Sequence, residues 1–347
     1  MNNSSLCPVR TAKFDNAKAF LILMVVLGHG LTPFMSHQAV KWVSVWLYTY
    51  HMPLFVFLGG LFAKKAINRT PFDFGKVFSF FLLGFFIKCT TYLTNYYCGR
   101  NPKWNLYAEN GVAWYIFAMA AHLIIAHALR NLNPKKVLVA SVALACAVGY
   151  IDTIGNTLVL SRIFVFFPFF YLGCITDKDK LLAVTNKKWV QISSLVLLIG
   201  ILTALYLLMP GIYNLRYLLT CNNPYYEFGA NWKPYGALLR LGCYALSAVV
   251  SFCVLALMPD KDLPLVTNTG KNTLTVYALH RQIQVVLETL LLKKLLADLN
   301  SAYIIAIVFV ISVALTLLLS VKPLAYILYP CTNYKKFFSP LARWFRK

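Results

Sequence analysis

Apolar stretches close to bilayer-spanning length recur from one end of this chain to the other, and no soluble domain interrupts them. In hydrocarbon every backbone polar group has to be satisfied internally, which turns such stretches into helices. Spans are predicted at about 17–36, 43–63, 75–95, 112–130, 135–151, 160–176, 188–209, 236–257, 271–292 and 303–322. The fifth and sixth are short enough to be tilted partners or partly re-entrant. The expected fold is all-α: a polytopic transmembrane bundle of about ten helices, one domain over residues 1–347 with short tails at 1–14 and 331–347. Hydrophobic residues make up 59% of the sequence and charged ones 13%, a mix far from that of a soluble domain.

No small-residue cleavage site follows the first apolar run, so it reads as a retained span. The nine cysteines are scattered without a CxxC, which suggests neither a metal site nor a disulfide framework. A net charge of +22 would point to nucleic acid in a soluble protein. Here the cations sit between apolar runs, so topology explains them and no nucleic-acid partner is expected. One side receives Arg10, Lys13, Lys64, Lys65, Arg69, Lys76, Arg130, Lys135, Lys136, Lys178, Lys180, Lys187, Lys188, Lys261, Lys271 and the tail from Lys322 to Lys347; the other receives roughly half as many. By the positive-inside rule both termini are cytoplasmic, in a multi-pass protein of the inner (plasma) membrane. The two longest opposite loops, YYCGRNPKWNLYAENGVAWY at 96–115 and PGIYNLRYLLTCNNPYYEFGANWKPY at 210–235, are rich in Tyr and Trp. An interfacial aromatic belt and a platform for stacking sugar rings both fit that composition.

The spans are not uniformly apolar. An ionisable residue inside a span costs roughly 2.5–3.5 kcal/mol on insertion scales and is a functional suspect. Lys18 and His29 lie eleven residues apart, close to three whole turns, so they share one helix face about 16 Å apart along the axis. Asp15, three residues before Lys18, lies on nearly the same face and can pair with it. His51 in the second span falls about 18 Å from its cytoplasmic end, nearly the depth of His29. Pro53 is expected to free the carbonyl of Thr49 and bend that helix. Lys88, Arg162, Arg240 and the pair His280–Arg281 are further in-span groups, with Tyr277 on the face of His280. Arg162 and Arg240 stand near noncytoplasmic span ends and are expected to snorkel to the interface. His122 and His127, five apart, face different ways and read as structural. No HExxH, Walker loop or GxGxxG is present, so zinc hydrolysis, nucleotide hydrolysis and dinucleotide redox chemistry have no support.

A neutral imidazole at depth suits a general base acting on a hydroxyl, and a cation at the cytoplasmic mouth suits a phosphate of a long donor. Acyl-coenzyme A, with an anionic head and a slender arm ending in a thioester, satisfies both. FDNAKAFLILMVVLGHG resembles the first-helix signature of the integral-membrane acyltransferase-3 family. YHMPLFVFLGG, AWYIFAMAAH, SRIFVFFPFFYLGC and TGKNTLTVYALH resemble its later segments in order, and the chain is most similar to the fucose 4-O-acetylase-like branch.

The resemblance implies an O-acyltransferase carrying acyl groups, usually acetyl, from cytoplasmic acetyl-coenzyme A to extracytoplasmic or lipid-linked glycans, without a metal. It makes Lys18 the basic donor-binding residue and His29 the catalytic histidine. His51 is placed with catalysis, and Arg162, Tyr277 and His280 with donor binding. His51 or Tyr277 is expected to orient His29 or stabilise the oxyanion. Some family members carry a periplasmic esterase-like domain; none is read here, so the bundle and its loops are expected to hold the acceptor. Gly59–Gly60 departs from the common Ser-Gly. The alternatives are a secondary transporter using the in-span charges as a proton relay, and a scaffold whose imidazoles cross-link helices. Against the transporter stand the missing inverted repeat and the scarcity of in-span carboxylates, Glu288 being one of the few.

Overall fold

The computed structural model describes residues 11–109, 111–296 and 298–337, so Arg10 and the far ends of both tails lie outside the described residues. The long elements are α1 Ala12–Leu31, α2 Gln38–Ile67, α3 Phe74–Tyr97, α4 Trp114–Ala128, α5 Pro134–Val148 and α6 Leu160–Ile175. They are followed by α7 Lys178–Thr185, α8 Lys188–Leu208, α9 Leu215–Leu219, α10 Gly236–Leu257, α11 Pro264–Lys271, α12 Thr273–Leu287, α13 Lys293–Leu295, α14 Ser301–Leu319 and α15 Tyr329–Thr332. Among the described residues there is no strand, and one isolated bridge joins Ala108 to Thr157.

Every predicted span coincides with a helix, and the ends follow local chemistry. Asp73, Asn133, Asp177 and Asn300 each cap the helix behind them by accepting its first free N–H groups, and Pro134 fits the first position of α5, where no N–H is needed. Six helices are long and apolar enough to cross a membrane, and a seventh span arises if α6 and α7, bent by 93°, count as one. The remaining predicted spans, α4, α5 and α12, have 15 residues each, about 22 Å of rise, and fall short of a full crossing. α12 is too polar to face lipid, and it lies instead among α1, α3 and α14. Pro53 does not break α2, which runs on for 30 residues.

Membrane character shows on the outer helices. Phe74, Phe78, Phe81 and Phe85 form an exposed stripe along α3, and Ile192, Val196 and Ile199 do the same on α8. The buried core runs instead through α1, α2, α4 and α6. α2 and α6 meet backbone to backbone: a Cβ on Gly60 would strike the carbonyl of Phe170, and one on Gly173 would strike that of Phe57. Gly60 is thus a packing residue, while a side chain at Gly59 would meet Met119 and lie near the Tyr115 hydroxyl.

Both ends of the bundle are tied. At the basic end Lys13 is fully buried and its Nζ donates to the carbonyls of Thr185 (3.3 Å) and Ala256 (3.1 Å) and to Asn186 Oδ1 (3.0 Å). Asn16 donates to the carbonyls of Pro259 and Lys261, gripping the start of α1 from a second side. At the opposite end the aromatic loops fold over the helices. Leu158 N donates to Tyr107 O (2.6 Å), Ser161 Oγ to Cys221 O (2.8 Å) and Arg240 Nη1 to Leu218 O (2.6 Å). Arg240 is only 1% exposed, so the expectation that it snorkels to the interface is overturned: the 215–221 segment covers it and supplies a carbonyl.

Candidate active site

The two histidines expected at equal depth lie within electrostatic reach of each other, and a third, His280, is in ring contact with His29. His280, His51, Arg281 and Arg162 all lie within electrostatic reach of the His29 ring. Gln284 donates to Val26 O at 2.7 Å and so pins α12 to α1 about one turn from His29. One turn back on α12, the His280 ring centre comes to 5.4 Å from that of His29. His29 therefore faces the seam of α2 and α12 and not lipid.

Hydrogen bonding fixes the state of two of these rings. His280 Nδ1 lies 3.0 Å from Val276 O and 2.9 Å from Tyr277 O. A carbonyl only accepts, so Nδ1 carries the proton and Nε2 presents a bare lone pair. That Nε2 is buried without a partner. His51 bonds in the same way, Nδ1 to Leu47 O. Both rings bond backward within their own helices, so neither serves as a cross-link between helices. His29 is partly exposed, and among the described residues neither of its nitrogens has a protein hydrogen-bond partner. It is a ring held in place by packing and left chemically open.

Arg162 does not snorkel either. Its guanidinium lies 4.7 Å over the Trp114 ring, Nε donates to Thr220 O, and Nη1 is buried without a partner. The 215–223 loop closes over the start of α6, which turns the arginine inward. Tyr277 donates its hydroxyl proton to Val112 O, so it has none left for an oxyanion. Its ring packs on Tyr115 and His280.

Lys18 pairs with Asp15 at 2.7 Å as the i,i+3 spacing predicts, and its Nζ sits 5.5 Å over Phe62. Lys178 approaches the same ring to 5.1 Å. Beside it opens a cavity of about 680 Å³ lined by Lys64, Lys65, Lys178 and the carboxylates Asp177 and Asp179 among others. Cations thus gather at one end of the His29 lane, where a polyanionic head could be met.

Residues 11–321 match the family described as an acyltransferase domain. The chain belongs to the acyltransferase-3 family. It also resembles the nodulation protein NolL of Mesorhizobium japonicum, at 29% identity over 187 residues. That match covers 48% of this chain and 49% of the relative, so the aligned stretch spans about half the length of each. No solved structure matches. The imidazole lane is therefore the candidate functional centre of this family member, and all three of its histidines fall inside the matched range.

Around that centre the chain has charged groups that spacing did not reveal. Glu288, 2% exposed, accepts from Arg281 at 2.6 Å and from Arg100 of the 96–115 loop at 3.0 Å. The chain is locally π-helical at Glu288–Leu292, the kind of irregularity that often marks a functional site. Glu109 is buried 3.4 Å from Lys88, whose Nζ also donates to Ala108 O at 2.6 Å. Glu109 lies within electrostatic reach of both Arg162 and Tyr277. A signal for this pair existed: Lys88 is an unpartnered cation in a span, and Glu109 is the one carboxylate in the 96–115 loop that follows it.

Proposed function

We propose that this acyltransferase moves an acyl group, acetyl in the first instance, from cytoplasmic acyl-coenzyme A to a hydroxyl of an extracytoplasmic or lipid-linked glycan at the inner membrane. The observation that carries this reading is the open His29 ring among His51, His280 and Arg162. A ring centre 5.4 Å away is close to the ~5 Å of two imidazoles joined by one N–H···N bond, so a small rotation lets His29 donate to the bare Nε2 of His280. That bond would fix the tautomer of His29 and leave its other nitrogen as the base.

In this mechanism His29 takes the proton of the acceptor hydroxyl as its oxygen attacks the thioester carbonyl. The tetrahedral oxyanion collects on the free Nη1 of Arg162, which replaces Tyr277 and His51 in that role because their protons are committed elsewhere. The C–S bond then breaks, the new ester leaves with the acceptor, and the thiolate of coenzyme A recovers the proton from the imidazolium. Lys18, Lys178 and the basic cavity beside them would hold the phosphates of the donor.

The test uses purified protein, acetyl-labelled acetyl-coenzyme A and membranes from cells lacking the gene. Label is expected in glycan with the wild type and not with His29→Ala. Cells lacking the gene should also lose an acetyl increment from an envelope glycan by mass spectrometry. Transfer undiminished in the His29→Ala protein would remove the base assignment.

A further inference from the structure

On the aromatic-loop side of the lane stands a group of cations that the transfer step does not use. Arg216 is clasped between two rings, its guanidinium 3.8 Å from the Tyr213 centre and 4.1 Å from that of Tyr217. Its donors hold it flat: Nη1 to Tyr213 O (3.2 Å) and Asn214 Oδ1 (3.3 Å), Nη2 to Tyr217 Oη (2.6 Å). Lys41, from the start of α2, places its Nζ 5.1 Å from the centre of the same Tyr213 ring. Among the described residues neither cation has a carboxylate within 4.0 Å, while other cations at this end, Lys88, Arg100 and Lys233, do.

This cluster connects to the reaction centre through Tyr48. Tyr48 lies within electrostatic reach of Tyr213, Arg216 and Arg162, and its ring centre is 5.7 Å from that of His51. Two cations sharing one ring repel each other unless an anion lies between them. A third, Arg162, stands further in with a buried, unpartnered nitrogen. Aromatic faces and guanidinium groups together suit a sugar that bears charge: the rings take its flat apolar face, and the cations take its anion.

We propose that Arg216 and Lys41 form an anion subsite for the acceptor, so that the hydroxyl acylated belongs to a glycan carrying a phosphate or a carboxylate. The inference rests on the acyl-transfer reading above and adds the charge class of the acceptor. The negative group docks against Arg216 and Lys41, Tyr48 lines the path inward, and the hydroxyl reaches His29.

The experiment offers labelled acetyl-coenzyme A and an envelope-glycan extract of cells lacking the gene to the protein in neutral detergent free of lipid. Labelled product is separated by anion exchange. The expected result is at least about tenfold more label in the anionic fraction than in the neutral one. In Arg216→Gln and Lys41→Gln the KM for that fraction should rise about tenfold with kcat kept, while Arg216→Lys stays near wild type. Mild acid then distinguishes the anion, since a glycosyl phosphate releases neutral labelled sugar and a uronic acid stays charged. Label in the neutral fraction, or KM unchanged in both Gln variants, overturns the subsite while leaving acyl transfer standing. A fall in kcat with KM unchanged marks Arg216 as a packing residue and also overturns it. Absence of label in every fraction from wild-type protein refutes acyl transfer itself, and the subsite with it.

Discussion

Two seams of this bundle hold histidines, and they use them in opposite ways. Between α4 and α6, His122 is fully buried, donates Nε2–H to Ile163 O at 2.8 Å and packs against Phe167 and Phe170. At the end of α4, His127 spends both nitrogens, donating to Ile67 O and accepting from Arg130, under a stacked Phe72. These rings join one segment to another. In the seam of α1, α2 and α12 the bonds of His51 and His280 turn back into their own helices, and His29 has none to protein among the described residues. A scaffold would make cross-links here as it does at His122. The contrast separates imidazoles that bond one segment to another from imidazoles that make no bond between helices.

The sharpest way to break that contrast is His29→Ala. Loss of a general base is expected to lower acetyl transfer by about 10²–10⁴-fold, with thermal unfolding in detergent changed less than in His122→Ala, because the part-exposed ring bonds no other helix's backbone and its one proposed bond is to the His280 ring. A comparable loss of stability would move His29 into the same class as His122. His280→Ala comes next. If its Nε2 sets the tautomer of His29, kcat should fall about 10–100-fold while the KM for acetyl-coenzyme A stays put. An unchanged kcat would leave His29 without an orienting partner at His280.

Lys18→Ala probes the far end of the same lane. Its ammonium is part-exposed and already paired with Asp15, so the expected effect is about a tenfold rise in the KM for acetyl-coenzyme A at nearly constant kcat. Lys18→Arg should recover most of it. A kcat effect without a KM effect would place Lys18 in the architecture of α1 and not in donor binding.

The lane was legible because it is periodic. Eleven residues bring Lys18 and His29 to one face, and similar depths bring His51 to His29, and both follow from helical rise alone. The long helices were legible as apolar runs of near-spanning length, whereas the short, more polar α7 and α11 were not. What spacing cannot encode is the return of a loop. Arg162 and Arg240 stand near helix ends, where an uncovered arginine would reach for water, and only the fold of residues 215–223 over them turns them inward. Arg100 and Glu288 pair across 188 residues of sequence, so no local pattern announces them. The packing role of Gly60 shows only when Gly173, more than a hundred residues later, is brought against the same helix.

The smallest expected effect on chemistry, and the best control, comes from His122→Ala. The change removes a fully buried ring and its bond to Ile163 O, a loss of about 2–4 kcal/mol from the lost contacts and the cavity left behind. Thermal unfolding in detergent should therefore fall by several degrees. Transfer per folded molecule should stay within about twofold, because His122 is absent from the groups within electrostatic reach of His29. His122→Ala and His29→Ala then form a crossed pair, one losing stability and keeping turnover, the other the reverse. If both variants lost stability and turnover together, the histidines of this bundle would be acting as one packed unit, and the division between cross-link and base would fail.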